Sequence, residues 1–359
     1  MLKRKGQDSM YLFDLGKLSG QQSMLIFHAL ARMGVEALVI VSPKSPLTSI
    51  GYFQDTEKEI DLDFCSRAHI PVMRREVGGG TTYLDENQIF YQVIWNRSNP
   101  NLPKGMKRIF LELSQPACET YREFGIDASF RPENDIITRN GKKIAGEGGG
   151  DIGGCMVFVG GILMDFDYDT MSKVIKVPDE KFRDKIFKTM EENVTTMKRE
   201  LGQLPPRQEI IQVLVERFEK QVGKLERAKL DHTTIKKMME LERWMNSHPF
   251  LFKKTPKIPE GVKIREGVEI LYGIYKARGG IIRTVDEVEE NVLKELAISG
   301  DFQFYPKEDL VNLERSLKMT DFRERPIISK IDEFYEKQKV ETPGIEPDDI
   351  TQAILGAND

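Results

Sequence analysis

The sequence predicts an α+β protein of two domains, and three observations support this class. The chain has 359 residues, a length typical of about two domains. Between residues 37 and 165, short apolar runs alternate with glycine-rich turns, a pattern typical of strands joined by tight connections. From residue 178 onward the apolar period becomes helical, and short strands return after residue 260.

Composition excludes several broad classes. Hydrophobic residues make up 40% of the chain, which is enough for a buried core. The 53 basic and 57 acidic residues leave a net charge of −4, so no basic field predicts nucleic-acid binding. No apolar run approaches the roughly 20 residues of a membrane span, and no signal peptide is evident. We therefore expect a cytoplasmic protein that binds neither nucleic acid nor membrane.

The cysteines and histidines predict no metal centre or disulfide framework. Cys65, Cys118 and Cys155 are far apart and odd in number, which argues against disulfide pairing or a structural zinc site. The four histidines lie in different segments without the spacing of metal ligands. Because a free cysteine is usually a small buried hydrophobic residue, we expect no catalytic thiol.

Elements of the first half follow from apolar period and turn residues. Ser19 is a suitable cap for a helix over residues 19–34, and residues 108–113 fit either a strand or the start of a helix. Asn140 and Gly141 form a strong hairpin signal. The other predicted helices are 60–68 and 115–124, and the predicted strands are 37–42, 49–54, 70–73, 127–131, 135–138, 142–146 and 155–165.

The second half is mainly helical before it becomes mixed. Pro205 and Pro206 separate two long helical patterns, because proline cannot continue a helix. Beyond residue 321 the chain is polar, and we expect one helix and a loosely held end. The predicted helices are 180–201, 207–222, 233–245, 286–298, 307–317 and 328–337, and the predicted strands are 262–274 and 280–285.

One stretch, residues 74–83, organises the functional interpretation. Arg74 and Arg75 come first, and three glycines follow them after two residues. The flanking apolar runs predict a hairpin whose loop is made of glycine, the residue that allows positive φ and close approach to a ligand. Paired arginines beside exposed backbone N–H groups suit a carboxylate or a phosphate. Local composition leaves open the alternative of a flexible hairpin with two solvated arginines.

A second glycine-rich run covers residues 146–154. A dinucleotide-binding fold would need a glycine motif that opens a helix, whereas a strand pattern follows the first run here. A nucleotide-binding P-loop would need Gly-Lys-Ser/Thr after the glycines, and that pattern is absent. The interpretation that remains is that the two runs are glycine-rich turns between strands.

Five motifs, in their order and spacing, resemble those of the lipoate–protein ligases, which belong to a wider group with biotin protein ligases and octanoyl transferases. The motifs are 51–54 (GYFQ), 70–75 (IPVMRR), 78–80 (GGG), 134–135 (ND) and 140–146 (NGKKIAG). The resemblance covers about residues 20–250 and, more weakly, 260–320. It implies a mixed, largely antiparallel sheet flanked by helices, followed by a small α+β accessory domain. The implied division is a catalytic domain at 1–250, a linker at 251–259, the accessory domain at 260–325 and a C-terminal helix and tail at 326–359.

The resemblance implies an ATP-dependent lipoate–protein ligase. Lipoate and ATP, with Mg²⁺, would first give lipoyl-AMP and pyrophosphate. A lysine of an acceptor protein would then attack the mixed anhydride and form an amide. The implied acceptor is a 2-oxoacid dehydrogenase E2 domain, a glycine-cleavage H protein or a more specialised lipoate carrier.

The same resemblance implies roles for individual residues. Lys143 would bridge the lipoate carboxylate and the α-phosphate, because bringing two anions together requires a cation. Asp135 would help to hold Mg²⁺, and Asn134 would bind the nucleotide. The remaining implied binding residues are Arg74, Arg75, Gly78, Gly79, Gly80, Thr81, Tyr83 and Gly146.

Two alternatives to the ligase stay open. One is a transferase that takes an octanoyl or lipoyl group from an acyl-carrier thioester, and the other is a catalytically silent protein that binds an acceptor. The chain also departs from the family at several positions. Relatives usually carry Gly, Ser and Ala after the lysine motif, where this chain has Gly146, Glu147 and Gly148. They often place a histidine before the Asp85 position and before the Gly160 position, and this chain has none there.

Overall fold

A computed structural model describes residues 9–255 and 268–356, which form two units. The first unit contains residues 9–49, Ile60–Glu76 and Thr82–Ser247. The second contains Ile50–Glu59, Val77–Thr81 and the described residues from His248 onward. Two short segments of the N-terminal half therefore belong to the second unit. Residues 256–259 of the predicted linker and 262–267 of a predicted strand lie outside the described residues.

Strands and helices alternate along much of the chain. The strands are β1 (Ser9–Leu18), β2 (Ala37–Pro43), β3 (Leu47–Ile50), β4 (Val72–Arg74), β5 (Thr82–Leu84), β6 (Gln88–Asn96), β7 (Ala128–Arg131), β8 (Asp135–Thr138), β9 (Lys143–Gly146), β10 (Gly148–Ile152), β11 (Cys155–Leu163), β12 (Lys224–Arg227), β13 (Val268–Ala277), β14 (Gly280–Glu289), β15 (Val292–Gly300) and β16 (Thr320–Asp321). The helices are α1 (Gly20–Arg32), α2 (Thr56–Glu59), α3 (Leu62–Arg67), α4 (Met106–Leu113), α5 (Gln115–Glu123), α6 (Tyr168–Val174), α7 (Glu180–Asn193), α8 (Met197–Leu201), α9 (Arg207–Val222), α10 (His232–Met245), α11 (His248–Leu251), α12 (Asp309–Ser316), α13 (Glu324–Gln338) and α14 (Pro347–Leu355). None of these helices is long and apolar enough to cross a membrane.

The first unit is built on a six-stranded mixed sheet with the order β10-β11-β6-β2-β1-β12. β1 runs parallel to β2 and β12, and the other pairs are antiparallel. Every residue of β2 is buried, as its continuous apolar run requires. α1 packs on this sheet and begins at the predicted cap, because Ser19 and Gln22 form a capping box.

A separate three-stranded sheet, β4-β3-β5, contains the ends of the arginine–glycine stretch. The predicted hairpin is wrong, since β4 and β5 do not pair with each other but lie on opposite sides of β3. β3 begins at Leu47 and ends at Ile50, earlier than the predicted strand over 49–54. Local sequence could not reveal this arrangement, because the intervening strand comes from more than twenty residues upstream.

A second three-stranded sheet, β7-β8-β9, lies in the same unit. The tight turn at Asn140 and Gly141 connects β8 to β9 as predicted, and Gly141 has a φ of 77°. The prediction of a single helix over 180–201 is wrong, because the helix is interrupted between α7 and α8. At the break, the Thr195 N–H donates to the Lys143 carbonyl at 2.8 Å. Residues 108–113, for which sequence allowed two states, form most of α4.

The second unit has a four-stranded antiparallel sheet, β13-β14-β15-β16. Alternate residues of β14 are buried, so one face of this sheet forms the core. α12, α13 and α14 supply the rest of that core. Its fully buried members include Ile282, Leu293, Leu310, Ile327 and Ala353.

Two predictions for the second unit are wrong. Residues 286–298 form the end of β14 and most of β15 rather than a helix. Glu290 and Asn291 make the two-residue turn between these strands with φ values of 50° and 60°. The C-terminal end is also more firmly held than expected, because α14 buries Ile350 and Ile354 against β13 and β14. Apart from these two corrections, the described sheets and helices confirm the predicted class, an α+β protein with mixed, largely antiparallel sheets flanked by helices.

Asp286 is a buried acid within the second unit. Its Oδ2 lies 2.9 Å from Thr284 Oγ1, which also lies 3.2 Å from the Ala353 carbonyl. A threonine hydroxyl has one hydrogen, so both contacts are satisfied together only if Asp286 carries a proton. Burial raises the pKa of Asp286 to about 7, well above its ordinary value of 3.8.

Asp286→Asn is expected to stabilise the protein at high pH. Between about pH 4 and 7 the folded state keeps a proton that the unfolded chain releases, so wild-type stability falls as the pH rises. Asparagine does not titrate, and its advantage should therefore grow from near zero at pH 4 to on the order of 2 to 4 kcal/mol at pH 8. Thermal unfolding over this pH range measures the effect. Glu287→Gln, on the other face of β14, serves as the control, and a pH-independent difference would contradict the prediction.

Candidate functional site

Lys143 lies on a strand that is held on both sides. β9 pairs with β8 through Ile137, and its other edge meets Val194. The side chain is 40% exposed, and its Nζ lies 2.6 Å from Asp135 Oδ1. The backbone of this lysine is therefore fixed, while its ammonium group is reachable from solvent.

Asp135 lies between two cations. Its Oδ2 accepts from Arg131 at 2.7 Å, and Arg131 is its direct partner across the β7–β8 pair. With Lys143 on Oδ1, one carboxylate therefore meets two positive charges. The three groups together carry a net charge of about +1, which suits an incoming carboxylate or phosphate.

Gly146 forms the surface under the Lys143 side chain. A Cβ atom at this position would lie 3.0 Å from both Cε and Nζ of Lys143, tighter than ordinary contact. A side chain here would require the end of the Lys143 side chain to move by a few tenths of an ångström. Glycine at this position therefore leaves the ammonium group undisturbed beside Asp135.

Asn134 is fixed by the residue after Gly146. Its side-chain Nδ2 donates to the Glu147 carbonyl at 2.8 Å, and the Glu147 N–H donates to the Asn134 carbonyl at 2.8 Å. These two hydrogen bonds join the start of β8 to the end of β9. They also place Asn134 beside the Asp135–Lys143 pair.

Glu147 is a buried acid beneath this group. Its Oε1 accepts from the Tyr91 hydroxyl at 2.5 Å, and its Oε2 contacts the Ser114 hydroxyl. Burial is the main cause that raises the pKa of Glu147 to about 8, while the hydrogen bonds from Ser114 and Tyr91 lower it. The sequence marks this residue only as an acid within a glycine-rich run.

Arg74 and Arg75 are both buried, which excludes the alternative of two solvated arginines. Arg75 Nη1 donates to the Ser49 carbonyl at 3.2 Å and lies 3.4 Å from the Ser49 hydroxyl. Burial lowers the pKa of Arg75 to about 10, so the group stays charged at neutral pH. These arginines therefore belong to the interior of the first unit.

Helix α1 holds the residue that follows the arginine pair. Glu76 makes an ion pair with Arg32 at 2.6 Å, and its backbone N–H donates to His28 Nε2 at 3.2 Å. His28 Nδ1 in turn lies 2.8 Å from the Met24 carbonyl, which accepts its proton. Three residues of one helix thus fix the path of the chain after β4.

Tyr83 is buried on β5, opposite Thr48 of β3. Its carbonyl accepts from Gln88 Nε2 at 3.2 Å. Burial, followed by the charges of Asp85 and Asp167, raises the pKa of the Tyr83 hydroxyl to about 12. The hydroxyl therefore stays protonated and can act only as a neutral donor or acceptor.

The three glycines and Thr81 belong to the second unit. The Gly79 N–H donates to the Phe302 carbonyl at 3.0 Å. A Cβ atom on Gly78 would lie 2.6 Å from that carbonyl and 2.7 Å from Gln303 Oε1. Packing against this segment is thus sufficient reason for glycine at Gly78, while Gly80 has only ordinary contacts with Asp301. Thr81 Oγ1 donates to Gln54 Oε1 at 3.3 Å.

The structure brings four of the predicted residues together: Lys143, Asp135, Asn134 and Gly146. We call these four residues the lysine cluster. Arg74 ends β4 and Tyr83 lies on β5, two strands of the β4-β3-β5 sheet, and Arg75 directly follows β4. The sequence analysis did not predict that Arg131 pairs with Asp135 or that Glu147 is buried. The contact of Arg131 could have been found by pairing the predicted strands β7 and β8 in register.

A Mg²⁺ ion at Asp135 stays a prediction. Both carboxylate oxygens contact cations, and the described residues contain no group of three His, Cys, Asp or Glu side chains that could hold a metal ion. These residues alone do not fit a protein-built Mg²⁺ site, since the ion prefers several oxygen ligands. We derive no step through a metal.

All three cysteines are buried. Burial raises the pKa of the Cys65 thiol and raises that of Cys118 to about 12. A thiol acts as a nucleophile in its ionised form, so these two groups are poorly suited to covalent catalysis. Cys155 is buried at the start of β11, opposite Asn96 of β6.

Comparisons with known proteins agree with the fold and identify the family. The model of the lipoyl protein ligase A/B catalytic domain family matches residues 22–219, more than half of the chain. This chain therefore belongs to that family of lipoate ligases and acyl transferases, and it carries an additional C-terminal unit. The predicted resemblance is confirmed at the level of the family.

Relatives with both kinds of activity are similar to the chain. Lipoate-protein ligase A subunit 1 of Thermoplasma acidophilum is 34% identical over 157 residues, covering 41% of this chain and 58% of that protein. The octanoyltransferase LipM of Geobacillus kaustophilus is 30% identical over 163 residues, covering 39% and 58%. The chain thus spans less than two thirds of the length of either relative.

Solved structures extend the likeness of fold. One matched chain comes from a structural analysis of a bipartite lipoate protein ligase and its E2 lipoyl domain from T. acidophilum. It gives a TM-score of 0.62 at 25% identity, covering 70% of this chain and 99% of that chain. LipL1 of P. falciparum in complex with lipoate gives a TM-score of 0.67 at 15% identity, covering 97% and 99%. At that identity the second likeness shows the fold alone.

Removing a buried cation should cost far more stability than removing the exposed one. Arg75→Ala leaves a cavity and removes the hydrogen bond from the guanidinium group to the Ser49 carbonyl, and we expect a loss of about 3 kcal/mol. Lys143→Ala should change stability by less than about 1 kcal/mol, because its ion pair is largely solvent-exposed. Urea unfolding of the two variants measures both values. Equal losses of stability in the two variants would contradict the difference in burial between Arg75 and Lys143.

Proposed function

We propose that this chain is an ATP-dependent lipoate–protein ligase. In the first step a lipoate carboxylate oxygen attacks the α-phosphorus of ATP, and the bond to pyrophosphate breaks. In the second step an acceptor lysine attacks the carbonyl carbon of lipoyl-AMP. The amine loses a proton, AMP leaves and an amide forms.

The lysine cluster supplies the charge that the first step needs. A carboxylate and a phosphate repel each other, and a cation between them lowers that cost. Lys143 offers a reachable ammonium group, and its four-carbon stem lets it exchange Asp135 for a substrate anion. Arg131 keeps Asp135 paired when the lysine turns away.

The observation that carries the proposal is the contrast between a reachable lysine and three buried thiols. Transfer from a thioester through the protein would need an exposed, ionisable nucleophile. Lys143 is 40% exposed, whereas all three cysteines are buried. The chain's own residues therefore support adenylation better than transfer through cysteine.

The acceptor is a protein that presents a lysine for lipoylation. The structural analysis of the T. acidophilum ligase, which resembles this chain in fold and sequence, also includes its E2 lipoyl domain. We propose a lipoyl domain of this type as the partner. A glycine-cleavage H protein or a specialised carrier are the alternative acceptors for the same assay.

Octanoyl transfer is the second candidate, because the LipM relative of G. kaustophilus matches the chain at 30% identity over 163 residues. Pyrophosphate release that requires both ATP and lipoate distinguishes the ligase. Mass gain on an acceptor from an acyl-carrier thioester, without ATP and free acid, would instead support the transferase. Acceptor binding with neither activity would support a silent assembly protein.

Lys143→Ala should abolish formation of lipoyl-AMP. Loss of the bridging cation should lower the rate on the order of 100-fold or more. Mass spectrometry of the adenylate and a pyrophosphate assay measure the effect. Lys142→Ala, at the adjacent lysine, is the matched control and should retain the rate. An unchanged adenylate yield in Lys143→Ala would remove the lysine from this role.

Single alanine substitutions of the cysteines separate the two enzyme classes. We expect Cys65→Ala, Cys118→Ala and Cys155→Ala each to keep ATP-dependent activity within about tenfold, with any loss following reduced stability. Native protein should also resist alkylation by iodoacetamide, since its thiols are buried. One variant that folds normally and loses all acyl transfer would favour the cysteine-dependent transferase.

A further inference from the structure

The run of residues 146–150 contains a single side chain. Four of its five residues are glycine, and the exception is Glu147. Glycine backbone has more conformational freedom to lose on folding than any other residue. Gly146 pairs with Asp135 of β8, and residues 148–150 pair with β11. Glu147 is the one residue of the run outside both ladders, so its side chain is placed to fix the junction between β9 and β10.

Glu147 is anchored to two separate parts of the core. Tyr91 lies on β6 in the six-stranded sheet, and Ser114 lies between α4 and α5. The neighbouring β11 leaves room for the tyrosine hydroxyl, because a Cβ on Gly160 would lie only 2.3 Å from it. The carboxyl group of Glu147 thus bridges a central strand and a helix junction.

The hydrogen-bond pattern is compatible with a neutral carboxyl group. Ser114 Oγ lies 2.6 Å from the Phe110 carbonyl and also contacts Glu147 Oε2. Serine has one hydroxyl hydrogen, and a carbonyl can only accept. An ionised Glu147 competes with Phe110 for this hydrogen, whereas a protonated Glu147 can donate to Ser114 while Ser114 donates to Phe110. Burial, which raises the pKa of Glu147, agrees with this protonated form.

The backbone of Glu147 carries this anchoring to the lysine cluster. Its N–H and carbonyl form two hydrogen bonds with Asn134, both at 2.8 Å. The preceding Gly146 lies under the Lys143 ammonium group. A shift of the run would therefore move Asn134 and the surface beneath Lys143 together.

From these contacts we infer that Glu147 is a positioning residue, whose buried side chain fixes the run 146–150 and thereby sets the places of Asn134 and Lys143. Its catalytic consequence rests on the proposed ligase function. The anchoring itself does not, so the two can be tested apart.

A matched pair of substitutions isolates the hydrogen bonds. Glu147→Gln keeps both, because its oxygen accepts from Tyr91 and its amide donates to Ser114. Glu147→Leu has similar volume and makes neither. Tyr91→Phe removes one hydroxyl and serves if the leucine variant does not fold.

Hydrogen exchange of peptides that cover residues 143–150 tests the anchoring without any assay of activity. We expect exchange at least tenfold faster in Glu147→Leu or Tyr91→Phe, and wild-type exchange in Glu147→Gln. Peptides from α13, which belongs to the second unit, should be unchanged in all variants. Wild-type exchange in Glu147→Leu would overturn the inference, as would a Glu147→Gln variant that exchanges as fast as the leucine variant.

Kinetics test the positioning of Lys143. With ATP and lipoate, kcat for adenylate formation should fall on the order of 100-fold in Glu147→Leu, and Glu147→Gln should restore it to within about threefold of wild type. A full rate in a leucine variant with fast exchange would overturn the positioning role. If wild-type protein forms no adenylate, the ligase proposal fails, and the exchange experiment still decides the anchoring.

Discussion

The candidate site depends on one constraint, which is that β9 is paired along both edges. β8 lies on one side, and on the other the Thr195 N–H donates to the Lys143 carbonyl at 2.8 Å. The break between α7 and α8 exists at the point where this hydrogen bond forms. Because the backbone is fixed, only the side chain of Lys143 can move, and Asp135 limits that motion. A fixed backbone with an exposed cation is the arrangement that charge stabilisation requires.

Burial separates the cations of the chain into two kinds. Arg74 and Arg75 are buried, so their charges must be satisfied inside the first unit, as the bonds from Arg75 to Ser49 illustrate. Lys143 and Arg131 are exposed and share one carboxylate, which leaves them available to anions. The basic residues of the arginine–glycine motif and of the lysine motif therefore have different physical roles. Charge alone, without burial, could not have distinguished them.

Local patterns predicted elements well wherever the determining contacts are local. The cap at Ser19, the buried run of β2 and the turn at Gly141 each depend on a few neighbouring residues. The same reasoning failed where distant segments decide the outcome. β3 separates β4 from β5, and residues 286–298 are strands because alternate side chains meet helices that follow much later. Lys143 and Asp135 were placed together by the resemblance, while the environment of Glu147 was not predictable, since Tyr91 and Ser114 lie 56 and 33 residues away.

Glycine in the two motifs has more than one cause. At Gly146 the neighbour is the Lys143 side chain, whose Cε and Nζ would lie 3.0 Å from a Cβ. At Gly78 it is the backbone of Phe302 and the side chain of Gln303, within the second unit. A motif that resembles a ligand-binding loop can therefore be required by packing at one position and by a functional side chain at another. Of these two glycines, Gly146 is the one that lies directly against Lys143. The lysine motif is accordingly the part of the resemblance whose chemistry the described contacts support most directly, and the buried acid that follows it lies at the junction of two strands that are each paired in a different sheet.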